Sequence, residues 1–420
     1  MTILLHAPAS TVGRRLRRAT ALYLKLASGS LGRVAVQALY FALLVNTLTL
    51  PDYGTFAACV SAAIILSCGG SFGFVAPLFR VATTQRRRLG FYLTTLHVYV
   101  LATIPLATAL GLIVYVAFFD RYIALGPFLA VVFSEVLCIR YVDAIVQLFT
   151  ALGRFATAST LVLAVPAART AAVGVLWLSG AHDLNSWAWV YLAGNVSVMV
   201  LAAALAPRGR LLWRNSVLKR RLWQSIAFEA VRLIQALGTE FDKILVIVLA
   251  DQKAAGVYAL SMKVIDLANV PVRAAFPLIV RRLIQRPADL SNLSLRVVCE
   301  VSICIGSFML FVGALLVLSL RPTLLGQNVV AAYPWFSACW VLPMARIGLV
   351  YHAELFFAAD RMQVFTFVAI LLLLAQMIGL SVVITSLPDF TAWPAALDII
   401  WSVLYGLSLC AALRLLNPVR

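Results

Sequence analysis

Apolar runs of about twenty residues follow one another along almost the whole chain. In a bilayer a run of this kind satisfies its own backbone as a helix, because lipid offers no hydrogen-bond partner. Membrane strands would read instead as alternating segments of about ten residues. Bounded by polar residues, proline and glycine, the runs fall at 27–49, 54–79, 91–118, 123–150, 155–179, 187–206, 224–250, 254–280, 297–320, 329–357, 362–386 and 393–413. They predict an all-α polytopic membrane protein of about twelve transmembrane helices. Composition agrees: 63% of residues are hydrophobic and 12% charged, whereas a soluble domain is nearer half and a quarter.

The net charge of +18 would suggest a nucleic-acid partner on a soluble protein. Its distribution points elsewhere. With the N-terminus inside, the outer loops hold only Arg121, Lys253 and Arg321, while the other loop cations gather on the inner side, in clusters such as Arg86–Arg88 and Lys219–Arg221. This positive-inside pattern predicts cytoplasmic termini and no nucleic acid. The apolar stretch before Arg14 is too short for a secretory signal. The seven cysteines lie in apolar runs without a CxxC pair, so neither a disulfide framework nor a metal site is expected. No cofactor is expected either: the chain shows no nucleotide loop, HExxH or nucleophile elbow.

The basic loop 207–223 divides the chain into halves of similar size, predicted as lobes 1–207 and 224–420 joined by a cytoplasmic linker, 208–223. The halves echo each other. DYGTFAACVS (52–61) aligns with AAGVYALSMK (254–263), placing Gly54 against Gly256, Phe56 against Tyr258 and Ala57 against Ala259. The spans they open end alike, in APLFR (76–80) and FPLIVR (276–281). Two related six-helix lobes around a central cavity are the expected architecture, with the substrate site between them.

LTLPDYGTFAACVSAA and the following GGSFGF resemble the first-hairpin signature of polysaccharide flippases. FDKILVIVLADQKAAGVYALSMKVIDLANVPVRAAFPLI is similar to their seventh and eighth helices. The family is the polysaccharide-biosynthesis branch of the multidrug/oligosaccharidyl-lipid/polysaccharide exporter superfamily. The resemblance implies a carrier, not an enzyme, that moves a lipid-linked oligosaccharide from the cytoplasmic to the outer face. It also implies that polysaccharide polymerase machinery is a neighbour.

Charges inside the spans mark the candidate site, since each costs about 2.5–3.5 kcal/mol at the bilayer centre. On the seventh span Glu229, Arg232, Glu240 and Lys243 share one stripe and Asp242 lies off it. Lys263, Asp266 and Arg273 cluster on the eighth, and Arg33 lies in a polar sector of the first. Excess positive charge suits a polyprenyl diphosphate, with Arg33, Arg232, Lys263, Arg273 and Lys243 as its ligands. The acids Glu240, Asp242, Asp266 and Glu229 suit coupling to H+ or Na+, or charge pairing. Spacing of i,i+3 in Glu229–Arg232, Lys263–Asp266 and Arg140–Asp143 equally suits plain neutralisation. Gly69, Gly73, Pro77 and Pro271 are candidate hinges, and Gly69/Gly73 also fit close helix packing. Two rival functions remain: a multidrug exporter of the same superfamily, which basic stripes disfavour, and a membrane glycan polymerase or transferase, which short outer loops disfavour.

Overall fold

The computed structural model describes residues 32–68, 74–207, 215–285, 289 and 292–416. These residues fold into helices and connecting turns, and the described part of each of the twelve expected runs is largely helical. In the first half α1 (32–47) is followed by α2 (Leu50–Ser67), α3 (Val75–Thr84), α4 (Leu89–Phe119), α5, α6 (Phe155–Leu178) and α7 (Leu184–Leu205). Helix α5 runs on through Leu125–Phe133, a π-helical stretch Ser134–Ile139 and Arg140–Ala151. The second half comprises α8 (Asn215–Leu249), α9 (Gln252–Ala268), α10 (Phe276–Gln285), α11 (Leu293–Leu320), α12 (Gln327–Ser337), α13 (Leu342–Ala358), α14 (Met362–Ser386) and α15 (Trp393–Leu416). Helix α8 begins at Asn215, inside the segment that composition marks as linker.

Among the described residues, seven helices are long and apolar enough to cross a membrane unaided, and α12 with α13, bent by 80° to each other, make an eighth span if the pair counts as one. The remaining spans are short among the described residues, broken, or charged. The bend has a local cause. Asp398 of α15 accepts the backbone N–H groups of Trp340 and Leu342, each at 2.8 Å, so a carboxylate from another helix caps α13 afresh. Pro343 sits in that first turn, where no N–H is required.

The proline hinges fall at helix starts. Pro77 occupies the first turn of α3, where proline does not kink a helix. Helix α9 stops at Ala268, and Pro271 belongs to a separate turn, Val270–Arg273. The interruption is held at Asn269, which accepts from Ser307 Oγ at 2.6 Å and donates to the Pro343 carbonyl at 3.3 Å. Gly69 and Gly73 lie outside the described residues.

The halves meet through α2, which packs against α8 and α9. Thr49 and Asp251, equivalent in the repeat, cap α2 and α9 respectively. Gly54 and Gly256 then bring the two backbones together: a Cβ on either would overlap main-chain atoms of the other helix. Gln252 donates to Thr55 Oγ1 at 3.1 Å beside them. The Asn46 amide reaches the Leu325 carbonyl at 3.0 Å, and Asn328 donates to Val45 O at 2.6 Å and Leu48 O at 2.9 Å. Gly326, at φ +102°, takes a conformation that favours glycine, and any side chain there would strike Asn46. These bonds close the end of the molecule that the charge pattern predicts to be outer.

Candidate functional site

Below this closure, two tiers of charge lie along the interface between the halves. Glu240 and Glu229 mark their heights on α8, eleven residues or about 16 Å apart.

In the upper tier, Lys243 Nζ pairs with Glu240 at 2.9 Å and Asp242 at 3.6 Å. Asp242 is buried and accepts from Tyr258 of α9 at 2.8 Å. Ser61 of α2 crosses the interface to donate to Glu240 at 2.7 Å. Asp266 holds two guanidinium groups, Arg273 at 2.9 Å and Arg346 of α13 at 3.4 Å. Arg346 also lies over the Trp401 ring, 5.1 Å from its centroid. On the first half's wall, Arg169 of α6 pairs with Glu135 at 2.7 Å, bonds Asn195 Oδ1 at 3.1 Å and lies over the Tyr191 ring. Tyr191 donates to the same Glu135. Glu135 stands in the π-helical stretch of α5, a distortion that is frequent at functional sites.

Lys263 is the exception. It lies three residues from Asp266, yet Asp266 turns to the two arginines, and Lys263 has no hydrogen bond or ion pair among the described residues. Its charge is within reach of Asp266, Glu240 and Lys243, and of Arg169 on the facing half.

The lower tier surrounds a cavity of about 160 Å³ lined from both halves by Ser67, Arg140, Asp143 and Arg232, which Glu135 of the upper tier also lines. That volume suits a small polar group rather than a whole saccharide. Arg140, 6% exposed, donates through Nε to Ser67 Oγ at 3.0 Å rather than pairing with Asp143. Arg232 meets Glu229 only at 4.0 Å and remains 41% exposed. Arg33 is exposed at the start of α1, and its charge reaches Asp143. Glu240, Asp242, Lys243, Lys263, Asp266 and Arg273 therefore gather in one tier, and Glu229, Arg232 and Arg33 in the other. Arg140, Arg169 and Arg346 join them as groups the helical phases did not single out. A buried arginine in an apolar run was the available signal. Among the described residues, no cluster of His, Cys, Asp or Glu could hold a metal ion.

A larger cavity, about 680 Å³, lies within the second half between α10 and α13, with Arg273 at its edge and Phe276, Val280, Ile284 and Phe357 on its walls.

No protein-family model and no curated protein sequence matches the chain. Solved structures do match, two of them as follows. The lipid II flippase MurJ, in an inward closed conformation, superposes with a TM-score of 0.72 at 10% identity, covering 92% of this chain and 87% of that one. The inward-facing conformation of a multidrug resistance MATE family transporter of the MOP superfamily gives a TM-score of 0.65 at 11% identity, covering 91% of this chain and 94% of that one. The chain has the fold of these transporters, an all-α polytopic membrane architecture of two six-helix lobes around a central cavity.

Proposed function

We propose that this protein carries a lipid-linked oligosaccharide, gripped by its diphosphate, from the cytoplasmic to the outer face of a bacterial inner membrane for surface polysaccharide synthesis. The observation that carries the reading is the pair Lys263 and Arg140. Each lies at the interface between the halves without an ion-pair partner among the described residues. A charge held unpaired at that depth is costly, and an anionic substrate would relieve it. The fold, shared with a lipid II flippase, supports the same class of cargo. Arg232, Arg33 and Arg273 are the supplementary ligands, and the sugars occupy the hydrated space between the tiers. The lobes 1–207 and 224–420 rock against each other along the seam where α2 meets α8 and α9, so that the bonds now closing the predicted-outer end break in the alternate state.

Membrane potential assists. Moving an anion outward from a negative cytoplasm is favoured by about 2.3 kcal/mol per charge per 100 mV. Glu240 and Asp242 are then pairing partners that hold Lys243 in place, with H+ or Na+ coupling a further role for the acids.

The test is made in cells lacking the protein. Lipid-linked oligosaccharide should accumulate on the cytoplasmic leaflet and surface polysaccharide should be lost. Wild type should restore both. Lys263→Gln should reduce export by about 10–100-fold at unchanged membrane abundance, the equivalent of losing one charge-assisted contact of about 1.5–3 kcal/mol. Normal export by both Lys263→Gln and Arg140→Gln overturns the reading. Intact polysaccharide with new sensitivity to cationic drugs assigns the protein instead to multidrug export, the activity named for the second structural neighbour.

A further inference from the structure

We propose that His352, Glu300 and Ser408 form a proton-binding site inside the second half, separate from the charges between the halves. His352 of α13 is fully buried. Its Nε2 lies 2.8 Å from Glu300 Oε1 on α11, and its Nδ1 lies 2.9 Å from Ser408 Oγ on α15. Tyr405, one turn earlier on α15, donates to the same Glu300 oxygen at 2.5 Å, and its ring stacks on the imidazole at 5.4 Å. Three helices thus converge on one titratable ring, in a medium where such groups are rare unless used.

The geometry suits both protonation states. In the neutral ring, Nε2–H donates to Glu300 and Nδ1 accepts from the Ser408 hydroxyl. A proton taken from water forms a new N–H bond at Nδ1, and that N–H donates to Ser408 Oγ. The serine hydrogen then rotates toward the carbonyl one helical turn back, a usual partner for a helical serine. The site gains one positive charge facing the Glu300 carboxylate, and no side chain leaves its place. A cavity of about 420 Å³ reaches Glu300, Tyr405 and Cys304 from the side, so the carboxylate is not sealed.

Other charged and titratable groups lie on the elements packed around the site. On α11, Arg296 donates to Ala412 O at 3.0 Å, and Cys299 and Cys304 lie on either side of Glu300. On α13, Tyr351 and Glu354 flank His352, and α10 brings the Arg282 charge toward Cys299. The site also has a line to the interface. Arg346, bound to Asp266, sits six residues before His352 on α13, about 9 Å along the helix. Helix α13 lies beyond the 80° bend, so it can tilt apart from α12. A charge gained at His352 would be felt by α13 and passed to Arg346 and Asp266.

The chain has four histidines, so histidine ring-nitrogen NMR on the whole protein in lipid nanodiscs can resolve this one by its loss in His352→Gln. Across the pH window in which the protein stays folded, the His352 resonances should pass from the neutral to the imidazolium pattern as pH falls. Ser408→Ala removes the acceptor of the new N–H, and its midpoint should fall by about one unit, a tenfold loss of proton affinity. Spin labels at Arg121 and Lys253, one on each half, should change separation with the wild-type midpoint. A His352 signal fixed across the window overturns the site, as does an unmoved midpoint in Ser408→Ala. A pH-independent separation overturns the line to the interface. No substrate is present in these measurements, so their failure leaves the transport reading standing.

Discussion

Replacing Gly256 by valine is expected to force the halves apart at the predicted-outer end and to stop transport. The new side chain would be driven into the Leu50 carbonyl, which is backbone and cannot rotate away. Overpacking of this kind costs about 1–3 kcal/mol where the surroundings can yield. Here the easiest relief is separation of α2 from α9. A cost of about 3 kcal/mol shifts a two-state population by roughly a hundredfold, enough to leave the closed form a minority. The separation of spin labels at 121 and 253 should lengthen in Gly256→Val. Gly54→Val should act alike, because its Cβ would overlap Gln252 O and the Gly256 backbone. Gly238→Ala is the control: nothing lies within 4 Å of a Cβ there. An unchanged distance and normal transport in Gly256→Val would show that this contact does not govern the closed state.

The second large effect is expected at Asp266, the shared acid of Arg273 and Arg346. Arg346 is 9% exposed, fixed between Met262 and Trp401, and among the described residues has no other acid in its ion pairs. Breaking a buried pair by removing one partner costs about 3–5 kcal/mol, because the other charge stays behind. The Asp266 side chain is 33% exposed, which places the effect toward the lower end. Asp266→Ala should therefore lower the thermal unfolding midpoint in detergent clearly. Adding Arg346→Met should recover part of the loss, since the stranded charge goes with it. Equal midpoints for wild type and Asp266→Ala would mean that water already solvates the arginines.

The helices were legible because apolar length is read directly by the bilayer, and even charged α5 and α8 fall on their runs, while the run 254–280 is divided between α9 and α10. Interruptions were less legible. The run 329–357 reads as one span, yet Asp398, more than fifty residues away, caps a second helix within it. Charge partners were the least legible. Spacing along one helix suggests Lys263–Asp266 and Arg140–Asp143, but a side chain also samples the neighbouring helices. Asp266 meets Arg346 and Arg140 meets Ser67, choices set by helix rotation and packing that one helical wheel does not contain. His352 and Glu300 lie on separate spans, so four scattered histidines conceal one three-helix junction.

The meeting of Gly54 with Gly256 joins equivalent positions of the repeat, so a local dyad runs through that point. Contacts about a dyad come in mirrored pairs. The counterpart of Thr55–Gln252 is Val257–Leu50, so a hydrogen bond on one side of the axis corresponds to two buried apolar residues on the other. Two identical chains could not hold that difference; a fused duplicate can. One seam of the closure is therefore polar and the other greasy, and the two flanks need not part at the same moment or admit the same material when they do.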